Sequence, residues 1–370
     1  MTPAVSIPLG GFNLSGGIKV LIVLANGMAC RGWRVRFIVP DFARDSPFPL
    51  EPGVSVQSIR TGPAWLPLAW RQLLYYLRLM RIAAVDADVC LANYYPTSIC
   101  ATVSRLMTNR SAVVAYYVQG HEAVSHGLIA EANRVSRWTR YLVARVSYTL
   151  PVSFICVSRW VRDQIGRRDA MVAHAPVLDL AVFQPAPVAR RRTRIVIGTI
   201  GRTGETKDYD LFLAAIAQLR GRSDLEVIVA SPNRGEVPLP QGLVAEAVHA
   251  TSEAAMVEFY RRCDVFVLTS RVEGFPLPPL EAMACGCAVV ATRCGGITDY
   301  AQDGVNCLLV PPRDAQALAE ALRTVADDAT VRARLAAAGL ETVRLFERDR
   351  MLSQFLTQFE SLVHSQPDAA

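Results

Sequence analysis

Residues 265–286 read VFVLTSRVEGFPLPPLEAMACG, and the fold is decided in this stretch. Four apolar residues, 265–268, make a short buried strand. Pro278 and Pro279 suit the first turn of a helix, where a missing N–H leaves no hydrogen bond unmade. Ala282, Ala284 and Gly286 let that helix lie close against a sheet. A strand that feeds a helix N-terminus is a phosphate-holding device, because the first amides of the helix point at the ligand. Here those amides belong to Gly274, Phe275 and Leu277, since Pro276 has none. Two carboxylates stand at the mouth, Glu273 on the loop and Glu281 one turn into the helix. A carboxylate cannot usefully face a phosphate, so these two accept hydrogen bonds from hydroxyls, Glu281 from a ribose and Glu273 from a second sugar. The ligand expected is phosphorylated and rich in hydroxyls, as a sugar nucleotide is.

Outward from this segment, short apolar runs alternate with helix-length stretches along the whole chain, the pattern of α/β domains with parallel sheets. Strands are expected at 4–7, 34–39, 54–59, 89–92, 112–118 and 153–157, then at 195–200, 225–229, 265–268, 288–291 and 307–310. Helices are expected between them, notably at 17–30, 66–84, 97–107, 131–149, 209–219, 253–261, 279–284 and 315–325, with a last one at 349–363. Residues 176–194, with Pro176, Pro185, Pro187 and the run Arg190-Arg191-Arg192, read as a linker. The 370 residues are ample for two domains. Two Rossmann-like halves would bind ligands at the C-terminal edges of their strands.

At that edge of the second half, the strand at 195–200 is followed by Gly201-Arg202-Thr203-Gly204-Glu205-Thr206-Lys207. Arg202 and Lys207 place two cations on one loop. Charge-assisted bonds of this kind to a phosphate contribute about 1.5–3 kcal/mol each. Lys207 is one of only two lysines in an arginine-dominated chain, the other being Lys19, which marks it for a task suited to a compact charge. In the first half, Ser15-Gly16-Gly17 precedes a helix, and glycine there allows close approach of backbone to a ligand. His121, after Gln119-Gly120 at a strand end, is a candidate for contact with the ligand.

The net charge of +6 conceals an asymmetry. Residues 1–185 hold 19 basic and 10 acidic side chains, a net of +9, while the remainder is net −3. The first half should attract anionic partners. No RNA- or DNA-reading motif is present, so nucleic acid is not expected as a partner. The nine cysteines lack zinc spacing and read as free thiols of a reducing compartment. No segment reaches the roughly 20 apolar residues of a membrane span, and the start lacks signal-peptide features. The expected location is cytoplasmic, including peripheral attachment at the inner face of a membrane. The segment 66–84, with Trp70, Tyr75, Tyr76, Arg71, Arg78 and Arg81 among leucines, can lie in a lipid interface or form an ordinary half-buried helix.

Taken in order, these motifs resemble those of retaining glycosyltransferase family 4, the group 1 glycosyltransferases of GT-B fold. The two glutamates separated by seven residues, the Arg202–Lys207 pair, Gly16-Gly17, Gln119-Gly120-His121-Glu122, Cys156-Val157-Ser158 and Gly295-Gly296-Ile297 all take part. The resemblance implies an α/β GT-B fold with two Rossmann-like domains facing each other across a deep cleft. It implies an acceptor domain at 1–188, a donor domain at 189–345, and a C-terminal helix within 346–370 returning to the first domain before a disordered tail. It implies that Arg202, Lys207 and the amides of Gly274, Phe275 and Leu277 bind the donor diphosphate and that Glu281 binds its ribose. Glu273 and His121 would be the catalytic contacts to the transferred sugar, and Gly16 and Gly17 the acceptor loop.

No metal and no cofactor are expected. The partners are a nucleotide-diphosphate sugar, a glycan or polyprenyl-diphosphate-linked acceptor, and an anionic membrane surface. The chemistry expected is a same-face displacement, with the anomeric configuration retained and positioning and electrostatics as the source of rate. Four positions depart from the family pattern: Pro276, Asp208 where glycine often follows the lysine, His174-Ala175-Pro176 in place of an asparagine–glycine turn, and Asp299 in place of a glutamate. Alternatives on the same architecture are a sugar-nucleotide epimerase and a non-catalytic sugar-nucleotide-binding protein.

Overall fold

The protein's structure is a computed structural model describing residues 2–108, 111–124, 134–187, 193–231 and 237–364. The chain divides into two compact units. The first runs to Val177 and takes back the chain from Asp349 onward; the second runs from Leu178 to Arg348. The triple arginine of the expected linker and the expected 188/189 boundary lie outside the described residues, as does the expected tail beyond residue 364.

The first unit is built on seven parallel strands, β1 (Ala4–Pro8), β2 (Arg34–Pro40), β3 (Val54–Ile59), β4 (Val89–Ala92), β5 (Val113–Val118), β6 (Ser153–Cys156) and β7 (Met171–Val172), in the order 3-2-1-4-5-6-7. The central strands are buried throughout: all of AVSIP in β1 and all of VVAYYV in β5. Strands covered by helices on both faces are near-continuous apolar runs, and the one polar residue of these two, Ser6, donates its hydroxyl to the Ala83 carbonyl. Helix α1 (Gly16–Cys30) follows β1, and Ser15 caps it by accepting from the Ile18 N–H. Three later helices, α2 (Leu68–Ile82), α3 (Tyr95–Met107) and α4 (Arg134–Ser147), lie side by side, α2 on α3 and α3 on α4. A short α5 (Arg159–Gln164) is capped by Ser158. The last helix, α11 (Arg348–His364), belongs to this unit from Asp349. Its Phe355 meets Tyr117 and its Phe359 meets Trp33, with ring centroids 5.5 and 5.9 Å apart.

The second unit repeats the scheme with six parallel strands, β8 (Ile195–Ile200), β9 (Leu225–Ser231), β10 (Val244–His249), β11 (Val265–Leu268), β12 (Ala288–Thr292) and β13 (Leu308–Val310), in the order 10-9-8-11-12-13. Its helices are α6 (Tyr209–Ile216), α7 (Glu253–Arg262), α8 (Leu277–Ala284), α9 (Ala315–Asp327) and α10 (Ala329–Val343). Phe212, Ile216, Val227, Val267, Val290, Leu318 and Leu322 form its core, all fully buried.

Two strands escape the sequence pattern. β7 has two residues, and β10 is an edge strand whose VAEAVH carries a charge, Glu246, bonded to Arg262 of α7. All nine cysteines are free and eight are buried. Cys287 points its thiol at the carbonyls of Tyr260 and Cys263, so the Cys285-Gly-Cys287 pair is helix-end packing. Among the described residues no helix is long and apolar enough to cross a membrane.

Candidate functional site

In the second unit the sheet order reverses between β8 and β11, which are hydrogen-bonded neighbours. Crossovers leave these two strands in opposite directions, so the loops that follow them, 201–208 and 269–276, open a crevice at the strand ends. Gly201 has to be glycine: a Cβ there would fall 2.5 Å from Val237 and 2.7 Å from Val229. The two loops are laced together by backbone. The Arg271 N–H donates to the Thr206 carbonyl at 2.8 Å, and the Thr269 hydroxyl donates to the Lys207 carbonyl at 3.1 Å.

This lacing brings Lys207 and Glu273 into contact. The lysine Nζ donates to Glu273 Oε1 at 2.6 Å, and the Ser270 hydroxyl donates to the same oxygen at 2.7 Å. Glu273 is fixed through its main chain as well, its N–H bonded to the Cys294 carbonyl and its carbonyl to the Gly296 N–H. Arg202 is exposed on the same loop and makes no ion pair among the described residues. Asp208, beside Lys207, sits in the left-handed conformation at φ 48° and ψ 48°. Glycine suits that conformation, which accounts for its frequency at this position in the family the sequence resembles. Here the strain is compensated: Arg271 grips the Asp208 carboxylate with two bonds, 2.7 and 3.2 Å.

Helix α8 starts from extended Pro276 with no side chain capping its first turn, the arrangement that leaves a helix N-terminus open to an anion. The Phe275 ring does not face a ligand. It packs on Tyr300 and Phe346, at 5.4 and 5.8 Å, while the Tyr300 hydroxyl donates to the Pro276 carbonyl at 2.6 Å. These contacts set the angle at which the chain enters α8. Glu281 Oε2 accepts from the Tyr260 hydroxyl at 2.7 Å, so a buried phenol on α7 aims this carboxylate. Tyr260, Ser270, Arg271 and Asp208 were not legible as site residues in sequence. Asp208 in place of a glycine was the one available signal.

The first unit has its own reversal between β1 and β4, and a crevice of about 660 Å³ lies there. Its walls include Gly10, Gly17, Tyr76, Asn93, Tyr94 and Arg140. Asn93 brings a buried side-chain oxygen that has no hydrogen-bond partner among the described residues. Gly17 lies against Gln119: a Cβ would fall 2.5 Å from the end of the Gln119 side chain, which would have to shift, and Gln119 Nε2 donates to the Gly17 carbonyl. Gly16 opens α1.

His121 is buried, with its Nδ1 accepting from the Val124 N–H at 3.0 Å and its ring against Tyr148 and Trp160. Burial holds its pKa below the ordinary value, opposed by a backbone bond to Gln164. The adjacent Glu122, for which sequence alone suggests no separate role, accepts from the Tyr116 hydroxyl at 2.7 Å and from the Tyr95 N–H at 3.1 Å. Burial pushes its pKa up to about 8.

Two family models match the chain. The model described as "Glycosyl transferase 4-like domain" matches residues 15–180, and "Glycosyl transferases group 1" matches residues 194–328. The chain belongs to the group 1 glycosyltransferases. A relative from Acidothermus cellulolyticus, D-inositol 3-phosphate glycosyltransferase, is 27% identical over all of this chain and 90% of its own length. Among solved structures, sucrose-phosphate synthase from Thermosynechococcus elongatus superposes with a TM-score of 0.80 at 19% identity, covering 98% of this chain and 100% of its own. HepE from Anabaena, solved with UDP-glucose, superposes at 0.73 with 18% identity, covering 97% and 99%. The fold is therefore GT-B, and the enzyme is a glycosyltransferase, which sets aside the epimerase and non-catalytic readings.

Proposed function

We propose that this glycosyltransferase takes a nucleotide-diphosphate sugar on its second unit and transfers the sugar, with retention of configuration, to a hydroxyl of a glycan or polyprenyl-diphosphate-linked saccharide. The observation that carries the donor reading is the contact of Lys207 with Glu273 at 2.6 Å, set beside the uncapped start of α8. A cation held by a carboxylate can exchange that partner for a phosphate with little added desolvation. The released carboxylate then has two acceptor oxygens for sugar hydroxyls. Arg202 and Lys207 would neutralise the diphosphate, the Leu277 N–H at the start of α8 would bond it, and Glu281, aimed by Tyr260, would accept from the ribose.

In the reaction the bond from the anomeric carbon to the diphosphate oxygen breaks, and a bond to the acceptor oxygen forms on the same face. The departing diphosphate takes the acceptor proton. Stabilisation of that diphosphate by fixed charges and amides is the main electrostatic contribution. A donor-sugar contact by His121 would require it to exchange one of its present bonds, to Val124 or to Gln164, for a sugar hydroxyl.

UDP-sugars are the first donors to test, since the Anabaena structure holds UDP-glucose. D-Inositol 3-phosphate belongs among the acceptors, being the one named for the Acidothermus relative. Thermal shift against UDP-, GDP- and dTDP-sugars reads the donor: ligand at a hundred times its Kd adds about 2.7 kcal/mol of stability. NMR of the product then reads the anomeric configuration. An inverted product overturns the same-face mechanism, and no shift with any of these nucleotide sugars overturns the donor reading.

A further inference from the structure

Helices α2 and α4 of the first unit share a pattern that no part of the reaction uses. Each packs a narrow face inward: Tyr75 and Leu79 of α2 are buried, as is Ala144 of α4. On the opposite side of α2, Trp70, Leu73 and Leu77 are 59, 47 and 49% exposed; on the opposite side of α4, Trp138, Leu142 and Val146 are 62, 43 and 58% exposed. Spacings of three and four residues set each trio in one outward stripe. Helix α3, packed between the two, ends in exposed Leu106 and Met107, and Trp65 just before α2 is 81% exposed. A soluble monomer rarely leaves so many large apolar groups together on its surface.

The charges on these helices have one sign. The sequences of α2, α3 and α4 hold no aspartate or glutamate and eight arginines: Arg71, Arg78, Arg81, Arg105, Arg134, Arg137, Arg140 and Arg145. Some serve the fold, Arg71 by pairing with Asp41 and Arg78 by bonding the Arg60 carbonyl. Arg81 and Arg145 are exposed beside the apolar stripes. Tryptophan and leucine outward, flanked by arginine and with no carboxylate, match the boundary between acyl chains and anionic head groups. A dimer interface would have no reason to exclude acids from all three helices, because each copy would present the same positive charge to the other. Gln72 and Tyr76 of α2 and Arg140 of α4 also line the 660 Å³ crevice, so the face and the crevice share two helices.

We propose that the outward face of α2, α3 and α4 docks on an anionic lipid bilayer. The test is co-sedimentation of the full chain with vesicles of phosphatidylcholine, with and without phosphatidylglycerol, at low and high salt. Binding should appear with phosphatidylglycerol and weaken with salt. Arg81→Gln with Arg145→Gln should lower the apparent affinity on the order of twenty-fold, and Trp70→Ser with Trp138→Ser should abolish it. Melting temperature serves as the fold check, and the arginine pair, on exposed positions, stands in should the tryptophan pair misfold. Binding that ignores phosphatidylglycerol overturns the proposal, as does binding retained by folded variants of both pairs. A dimer in sedimentation equilibrium that Trp138→Ser dissociates would reassign the face to contact between copies.

Discussion

The two sheet reversals carry opposite chemistry. At β8/β11 the side chains are charged and already paired, Lys207 with Glu273 and Asp208 with Arg271. At β1/β4 the crevice is walled mainly by glycine, tyrosine and asparagine, with Arg140 as its charged side chain, while His121 and Glu122 at the end of β5 are held toward their neutral forms by burial. A pre-paired cation can trade partners with a diphosphate. A crevice of aromatic and amide walls with a single arginine at its side is suited to hydroxyls and ring faces. The lesson is that topology sets where a ligand can sit, and the ionisation state that each loop maintains sets which part of the reaction it can serve.

The largest effect that would break this comparison is at Lys207. Lys207→Ala should reduce kcat/KM by about ten- to hundred-fold, the equivalent of one charge-assisted bond to phosphate. Its melting temperature should change little, because the pair it breaks is part-exposed, at 33 and 18%, and such pairs contribute roughly 1 kcal/mol or less. Steady-state kinetics beside a melting curve reads both quantities. Equal losses of activity and stability would make Lys207 a structural residue and remove the proposed difference between the two edges.

Arg271 sharpens the comparison further. It touches no expected ligand position, yet it holds Asp208, and Asp208 precedes α6 directly after Lys207. Arg271→Ala strands a carboxylate that is only 8% exposed in a strained conformation, at a cost of about 1–3 kcal/mol. The lysine loop should loosen, raising KM for the donor more than it lowers kcat. Asp208→Gly in the Arg271→Ala background removes both the stranded charge and the strain, so donor KM should return toward wild type. A double variant no better than Arg271→Ala alone would show that the arginine acts by another route.

Much of the fold was legible because parallel strands buried on both faces declare themselves as apolar runs, as VFVL in β11 and VVAYYV in β5 do. β10 was not, since an edge strand needs no such run and its VAEAVH reads as loop. In the second unit, the glutamates, the lysine and the prolines were legible through their spacing along one strand–loop–helix segment. Their partners were not. Tyr260 reaches Glu281 from a different helix, and Arg271 reaches Asp208 across two loops; such pairings depend on the third dimension and leave no spacing to read. His121 was legible as a residue at a strand end, but its bonds to Val124 and Gln164 follow from how α5 and the chain beyond β5 fold around it.

The smallest predicted effect tests the neutral half of the comparison through pH. Glu122 titrates near 8 in the folded protein against an ordinary 4.5, so folding takes up a proton between those values. The stability it contributes is fully present below pH 4.5 and is lost as pH rises through about 8. His121 has the opposite sign. Its folded pKa lies below 6.5, so its contribution is present above that value and is lost as pH falls through the lowered one. Adjacent residues should thus limit the first unit from opposite sides. Glu122→Gln keeps an acceptor for the Tyr116 and Tyr95 bonds but cannot ionise, and should flatten the alkaline decline while leaving the acid one. Melting temperature followed from acid to mildly alkaline pH reads this, at about 2–4 °C for each kcal/mol in a unit of this size. An unchanged alkaline slope in Glu122→Gln would mean that the carboxylate is already ionised in the fold, and that the β5 edge is charged like its counterpart in the second unit.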